Sequence, residues 1–251
     1  NESVLLGSPD QRVLYKSLAN TIVIDGFTVQ NGDLTVVTAD DGGGLYVGDG
    51  SLILRNCIFT NNACCDFGGA VYIVDNAAYS HIVSNCIFSC NSTTNNNGGA
   101  IYAKDGGTLT IMGSFFFDNV ASLSAGNSGG AIYLGGAAGG ATLVVKDTAF
   151  VNNSSFVGGG AVYINSAGDH MFNHCIFLGN IASNSLNTTD DGGAILLGAN
   201  GGLRLSDCAF SSNYAGAHGG AVYIDDLVTR PEIVISNCAF NGNQAQLIGG
   251  A

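Results

Sequence analysis

The sequence predicts an all-β fold, a single right-handed parallel β-helix, on three observations: a phrase that returns about every thirty residues, a second phrase interleaved with it, and a composition hostile to helices. The first phrase, Gly68-Gly69-Ala70-Val71-Tyr72-Ile73, returns from Gly98, Gly129, Gly159, Gly192 and Gly219. A degenerate copy starts at Gly42 and a partial one at Gly249. Its third position falls at 44, 70, 100, 131, 161, 194, 221 and 251, so the steps are 26, 30, 31, 30, 33, 27 and 30. The second phrase is Phe-x-x-Asn, at Phe59/Asn62, Phe88/Asn91, Phe116/Asn119, Phe150/Asn153, Phe177/Asn180, Phe210/Asn213 and Phe240/Asn243. With 38 Gly, 2 Pro and 10% charged residues in 251, the chain cannot solvate amphipathic helices, whose interiors glycine also weakens by about 1 kcal/mol each.

Three short apolar segments recur in each repeat and predict three strands per rung, about eight rungs in all. The first is Leu52-Ile53-Leu54 and its equivalents, the second carries the Phe, and the third follows Gly-Gly-Ala. Each is β-branched or aromatic and bounded by Gly, Asn or Asp, which is how short strands read. Each strand pairs with its equivalent one turn later, at ~4.8 Å, so the stack buries a core that no single copy could bury. Residues 1–41 form a degenerate N-terminal stretch, residues 42–251 carry the regular rungs, and together they make one continuous domain.

The period-2 rule points Leu52, Leu54, Cys57, Phe59, Val71 and Ile73 inward, with their equivalents. The seven Phe stack as an internal ladder. The seven Asn form a second ladder at a corner, their amides bonding up and down the stack and tolerating the bend, while the glycines supply positive φ at the next corner. Outward in the third strand stands a column of Tyr46, Tyr72, Tyr102, Tyr133, Tyr163 and Tyr223, broken by Leu196. It is a candidate interaction surface for sugar rings or a neighbouring chain, or a stack that only braces the rungs. Ile58, Ile87, Phe115 and Ile176 point outward too, so two outer faces are apolar.

Five of the 8 Cys (Cys57, Cys86, Cys175, Cys208, Cys238) share one inward column with Ser114 and Thr148 and read as buried free thiols, because rung spacing exceeds the Cβ separation a disulfide prefers. Cys64, Cys65 and Cys90 lie in corner loops, where Cys90 is within reach of a disulfide to either of the others. No His accompanies them at ligand spacing, and the sequence implies no metal and no cofactor. His81 and His170 fall in the inward column of Leu52, Leu109 and Leu203, which makes them core histidines. Asp40-Asp41, Asp190-Asp191 and Asp225-Asp226 are candidate carboxylate pairs, but the first two precede glycine corners, where Asp caps turns. Their basic partners would be Lys104, Lys146 and Arg204, scattered over different strands and turns. Sequons occur at Asn1, Asn91, Asn152, Asn153 and Asn187; Asn187 in the longest loop and Asn152 are the candidate glycosylation sites.

A net charge of −12 leaves no basic stripe for nucleic acid, and no apolar run approaches the ~20 residues that span a bilayer. The start at Asn1 without a signal-peptide pattern reads as a mature chain or a fragment, and both ends lack a cap. The paired Gly-Gly-Ala-(Ile/Val/Leu) and Phe-x-x-Asn motifs resemble those of the polymorphic outer-membrane protein family from about residue 42 onward. That resemblance implies a secreted β-helix passenger of autotransporter type, acting as an adhesin. The expected function is therefore an extracellular or cell-surface structural and adhesive rod, not an enzyme. It would stack end to end into a filament or belong to a longer rod, with itself or a host cell-surface glycan or protein as partner. The alternative is a β-helix that binds or cleaves polysaccharide.

Overall fold

The computed structural model describes residues 3–36, 40–121, 126–136, 140–183, 190–225 and 232–250, with only the backbone at 75–78 and 105–106. Among the described residues every pairing between strands is parallel and joins equivalent residues of consecutive rungs, as in Phe59 with Phe88 and Tyr72 with Tyr102; one isolated bridge, Gln11 with Asp33, is antiparallel. The chain is a stacked parallel β-solenoid, and no helix in the described residues is long and apolar enough to cross a membrane.

Three sheets wrap one continuous core. A nine-stranded sheet carries the Phe ladder, from Ser3–Leu6 through Ile58–Thr60 and Phe115–Phe117 to Ala239–Asn241. A broad fourteen-stranded sheet holds both the Leu52–Arg55 type of strand and the Leu45–Val47 type. These two predicted strands share a sheet because they run on in one direction; over Val71–Ser84 and Ile101–Met112 they fuse into single long strands, paired through Val74 with Lys104 and Ala77 with Gly106 across register shifts. The third sheet has eight strands of two residues each, such as Ala63–Cys64, Ser92–Thr93 and Val120–Ala121. Sequence reading leaves these in loops, since Ala-Cys and Ser-Thr carry no strand pattern. They are strands because the asparagine just before seven of the eight holds the rungs in register; Asp33–Leu34 follows Gly32, whose N–H bonds Asn62 of the next rung.

Leu52, Leu54, Cys57, Phe59, Val71 and Ile73 are all fully buried. The Phe rings stack almost face to face through the centre, with centroids 4.7 Å apart and planes 2° apart for Phe88 and Phe116, and 4.7 Å and 1° for Phe177 and Phe210. Such offset contacts add about 0.5–1.5 kcal/mol per pair beyond area burial.

Each rung turns three corners, and at each a residue adopts the left-handed backbone. One is the first glycine of each pair, with φ 65 at Gly68 and 58 at Gly159. The second lies immediately before each ladder asparagine, at Asn61, Cys90, Asp118, Asn152, Gly179 and Ser212. The third precedes the cysteine column, at Asn56, Asn85, Asp147, His174, Asp207 and Asn237. Asn and Asp tolerate this conformation by local side-chain hydrogen bonding, whereas most L-residues lose about 1–2 kcal/mol there. The bend expected at Asn62 and its equivalents therefore belongs to the residue before it.

Candidate functional site

The ladder asparagines are the most heavily bonded side chains in the core. Asn153 shows the pattern. Its Oδ1 accepts from Asn119 N at 3.1 Å and Asn119 Nδ2 at 2.9 Å, while its Nδ2 donates to Phe116 O and Asn180 Oδ1, both at 3.0 Å. The same four bonds recur at Asn91, Asn119, Asn180 and Asn213; Asn62 makes three, because Gly32 before it offers only its N–H, and Asn243 closes the ladder on Asn213. A buried amide with every donor and acceptor used is structural. Asn91 and Asn153 are fully buried, which removes them as glycan acceptors; Asn152 is exposed, and Asn187 and Asn1 lie outside the described residues.

The inward cysteine column has a rule of its own. Ser114 Oγ accepts Cys86 N–H at 3.2 Å and donates to Met112 O at 2.9 Å; Thr148 Oγ1 accepts Ser114 N–H at 3.3 Å and donates to Lys146 O at 2.7 Å. Cys57, Cys175 and Cys208 likewise donate to Arg55 O, Asn173 O and Ser206 O. The position takes Cys, Ser or Thr because it needs a small side chain that both accepts and donates.

All eight cysteines are free, so the disulfide expected for Cys90 with Cys64 or Cys65 is absent. Cys64 lies inside the small sheet, paired with Thr93, and its thiol donates to Phe67 O at 3.3 Å. Burial pushes its pKa up. Cys90 is exposed at the left-handed corner just before Asn91, on the opposite side of the backbone from that interior column. The two cannot meet without unwinding the turn.

Both buried histidines replace a backbone acceptor. Leu52 N–H donates to His81 Nδ1, and Leu143 N–H to His170 Nδ1, each at 3.2 Å. An accepting Nδ1 carries no proton, so His170 is neutral and donates through Nε2 to Ser166 O at 3.0 Å. Burial lowers its pKa.

The paired carboxylates are spent on turns. Asp41 Oδ1 accepts Phe67 N–H at 3.0 Å, and Asp191 Oδ1 accepts His218 N–H at 3.0 Å. Asp191 also meets His218 Nδ1 at 2.8 Å, Asp40 holds Arg12 at 2.8 Å, and Asp190 is fully buried. Burial raises the Asp41 pKa to about 6. Asp226 lies outside the described residues. The corners of Asp41 and Asp191 are five rungs apart, counted over Gly42, Gly68, Gly98, Gly129, Gly159 and Gly192. At ~4.8 Å per rung that is ~24 Å, whereas a glycosidase acid pair sits within about 10 Å. Lys104, Lys146 and Arg204 stand on the broad sheet, Arg204 paired with Glu232.

The tyrosine column is more covered than its outward direction implies. Tyr72, Tyr102 and Tyr133 are 6%, 8% and 8% exposed, stacked on one another with Phe67 against Tyr102 at 4.5 Å. Each ring is covered by the rings above and below it, and Phe67 caps Tyr72 and Tyr102, so these three offer no open face to a sugar. Tyr46, Tyr163 and Tyr223 are half-buried. Sequence reading missed Tyr15, which stacks on Tyr46 at 5.1 Å beneath Arg12; the signal was that Leu14-Tyr15-Lys16 repeats Leu45-Tyr46-Val47.

What stays open to solvent is the outer face of the Phe sheet. One row runs Ile58, Ile87, Phe115, Ala149, Ile176 and Ala209 in register, and the row beside it runs Thr60, Ser89, Phe117, Val151, Leu178 and Ser211. Neither row contains a charge. Ile87, Phe115, Ile176 and Leu178 are 37%, 37%, 51% and 41% exposed, and Ile181 on the adjoining small sheet is 42% exposed.

Fold and surface together define a class: a repeat solenoid whose ladders are satisfied internally and whose distinctive surface is a flat, uncharged sheet face. The Chlamydia polymorphic membrane protein repeat matches at residues 56–74 and 207–225, two stretches that span the Cys-x-Phe and Gly-Gly-Ala phrases. The chain is similar to "Probable autotransporter YfaL" of Escherichia coli K12, 38% identical over 194 residues, covering 70% of this chain and 15% of that protein. It is also similar to "Metabotropic glutamate receptor-like protein R" of Dictyostelium discoideum, 31% identical over 194 residues, covering 76% of this chain and 11% of that one. No solved structure matches. The chain is thus a β-solenoid repeat protein of the polymorphic membrane protein and autotransporter type, spanning a small fraction of the relatives it matches.

Proposed function

We propose that this chain is a segment of a longer surface-exposed rod, without catalytic activity, that adheres or assembles through the outer face of its Phe sheet. The observation that carries the reading is the pair of uncharged in-register rows from Ile58 to Ala209 and Thr60 to Ser211, because contiguous apolar surface of this kind marks contact sites. The autotransporter name of the Escherichia coli relative and the membrane-protein name of the repeat family support a cell-surface setting. End-to-end stacking is the finer form of the same reading, since every rung presents its neighbour with the same register.

The test is retention of beads coated with the purified chain on cell monolayers, compared with beads carrying a Phe115→Ser, Ile176→Ser, Leu178→Ser variant. A several-fold loss with the variant supports the face; equal retention of both, or of neither, removes it. Loss of viscosity in polygalacturonate or alginate incubated with the chain would instead establish the polysaccharide-cleaving alternative.

A further inference from the structure

We propose that a second uncharged face, on the outside of the broad fourteen-stranded sheet over five consecutive rungs, binds the surface of ice. Two rows form it. Val23, Ile53, Ile82, Thr110 and Val144 stand in direct register. Two residues before each of them stand Thr21, Ser51, Ser80, Thr108 and Thr142. Leu52, His81, Leu109 and Leu143, which lie between the rows, are buried, so both rows face solvent. The charges of this sheet, such as Arg55 and Lys146, begin only in the next row along the strands.

The array is uniform where the Phe sheet is not. Every member is a serine or a β-branched residue, and β-branched side chains are restricted at χ1, so their methyl and hydroxyl groups hold fixed positions. On the Phe sheet, by contrast, Phe115 stands beside Ala149 and the surface undulates. Rungs repeat at ~4.8 Å and alternate residues of one strand at ~6.6 Å, which makes the face a lattice about 19 Å long. The lattice is also flat. Open sheets turn by about 20° from strand to strand, whereas the stacked Phe59 and Phe88 rings differ by 8° and Phe88 and Phe116 by 2°.

The hydroxyls of the array are unspent. Among the described residues, those of Thr21, Ser51, Ser80, Thr108, Thr110 and Thr142 make no hydrogen bond within the protein, while Ser89 on the Phe sheet bonds Thr60 and Ser114 inside the coil bonds Met112 O. Each can both donate and accept. Such a surface fits a solid that repeats in two dimensions and whose every group also donates and accepts. Ice is that solid, and its oxygens recur at intervals of this size. A polysaccharide would stack on aromatic rings, and neither row has one. Single contacts to ice are weak, but an array held rigidly releases only when all of them release together, so the protein stays on the crystal and halts its growth.

The experiment is thermal hysteresis of the full chain, the gap between melting and freezing of a single ice crystal, read by nanolitre osmometry. The array ends where the next rungs carry Asp169, Met171 and Arg204 at the same positions, so Thr110→Arg and Thr142→Asp place residues that this sheet already tolerates. The wild type is expected to shape the crystal and hold a gap. Each variant is expected to reduce the gap several-fold at equal concentration, and the double variant to abolish it, with circular dichroism unchanged. Ile181→Arg, a charge added outward on the small sheet, is expected to leave it intact. Ice that grows in the wild type as in buffer, or a gap that survives in the double variant, overturns the proposal. So does a wild-type dimer in sedimentation that the double variant dissolves while ice growth responds to neither, since the face would then join two copies of the chain. Retention on cells reads the Phe sheet and ice growth reads the broad sheet, so either reading can fail without the other.

Discussion

Replacing Asn153 by alanine tests the asparagine ladder where it is fully enclosed. The substitution strips the partner from Asn119 N–H, from one Nδ2 hydrogen of Asn119 and from Phe116 O, while Asn180 Oδ1 keeps its bond to Asn153 N. Each buried group left unpaired costs about 1–3 kcal/mol, so the sum is roughly 3–6 kcal/mol after water fills part of the gap. Asn243→Ala, in a half-buried rung, loses the bonds to Asn213 and Phe210 with water at hand, and the expected cost is about 1–2 kcal/mol. Asn153→Asp discriminates further: it keeps the acceptor for Asn119 but sets a charged oxygen against Phe116 O and Asn180 Oδ1, so it destabilises more at pH 7 than at pH 4. The assay is guanidinium unfolding followed by circular dichroism, supported by hydrogen exchange, because stacked repeats need not unfold in one step. The Asn119 amide is expected to exchange at least ten times faster in Asn153→Ala. A shift no larger than that of Asn243→Ala, with Asn119 still protected, would refute the claim that these amides carry the register.

The His170 rung should make stability fall in acid. The folded pKa of His170 lies below its unfolded value near 6.5, so its contribution is complete above that value and is lost as pH falls through the folded pKa. His170→Leu, which restores the residue type of Leu143 and Leu203, is expected to flatten the melting-temperature profile between pH 7 and 5; an unchanged slope would show that His170 does not titrate there. Asp41 has the opposite sign: with its folded pKa raised to about 6, it stabilises most below its unfolded value of 3.8, and that contribution is lost as pH rises through 6. Asp41→Asn should therefore raise the midpoint at pH 7 while keeping the oxygen that receives Phe67 N–H. At the corners, Gly159→Ala would place a Cβ 2.3 Å from Val162 O with φ at 58, and is expected to destabilise by more than the ~1–2 kcal/mol of left-handed strain alone. Ser212→Gly, relieving that strain at φ 55, should raise the unfolding free energy by up to about 1 kcal/mol.

Much of the core was legible because stacked repeats make position equivalent to structure. A phrase that returns in register must pair with itself, so Phe59 over Phe88 follows from spacing alone, and the small Cys, Ser and Thr of the inner column are visible as alternatives at one position. The two-residue strands were not legible, since Ser92–Thr93 has no strand pattern of its own and is ordered by Asn91 before it. The absent disulfide has a similar origin: Cys64 and Cys90 are in consecutive rungs, but a corner with φ 54 at Cys90 turns one outward and leaves the other in the core.

By itself the sequence determined the rung, the direction of its stacking and the residues of its interior, because period and alternation translate directly into pairing and burial. Only the tertiary structure decided which outer columns reach solvent. Tyr102 and Phe115 both point away from the core, yet Tyr102 is 8% exposed beneath Phe67 of the preceding corner and between its stacked neighbours, and Phe115 is 37% exposed on a bare sheet. Period 2 distinguishes inside from outside of one strand, whereas coverage from outside depends on how far the neighbouring corner folds back, a distance that no local pattern encodes.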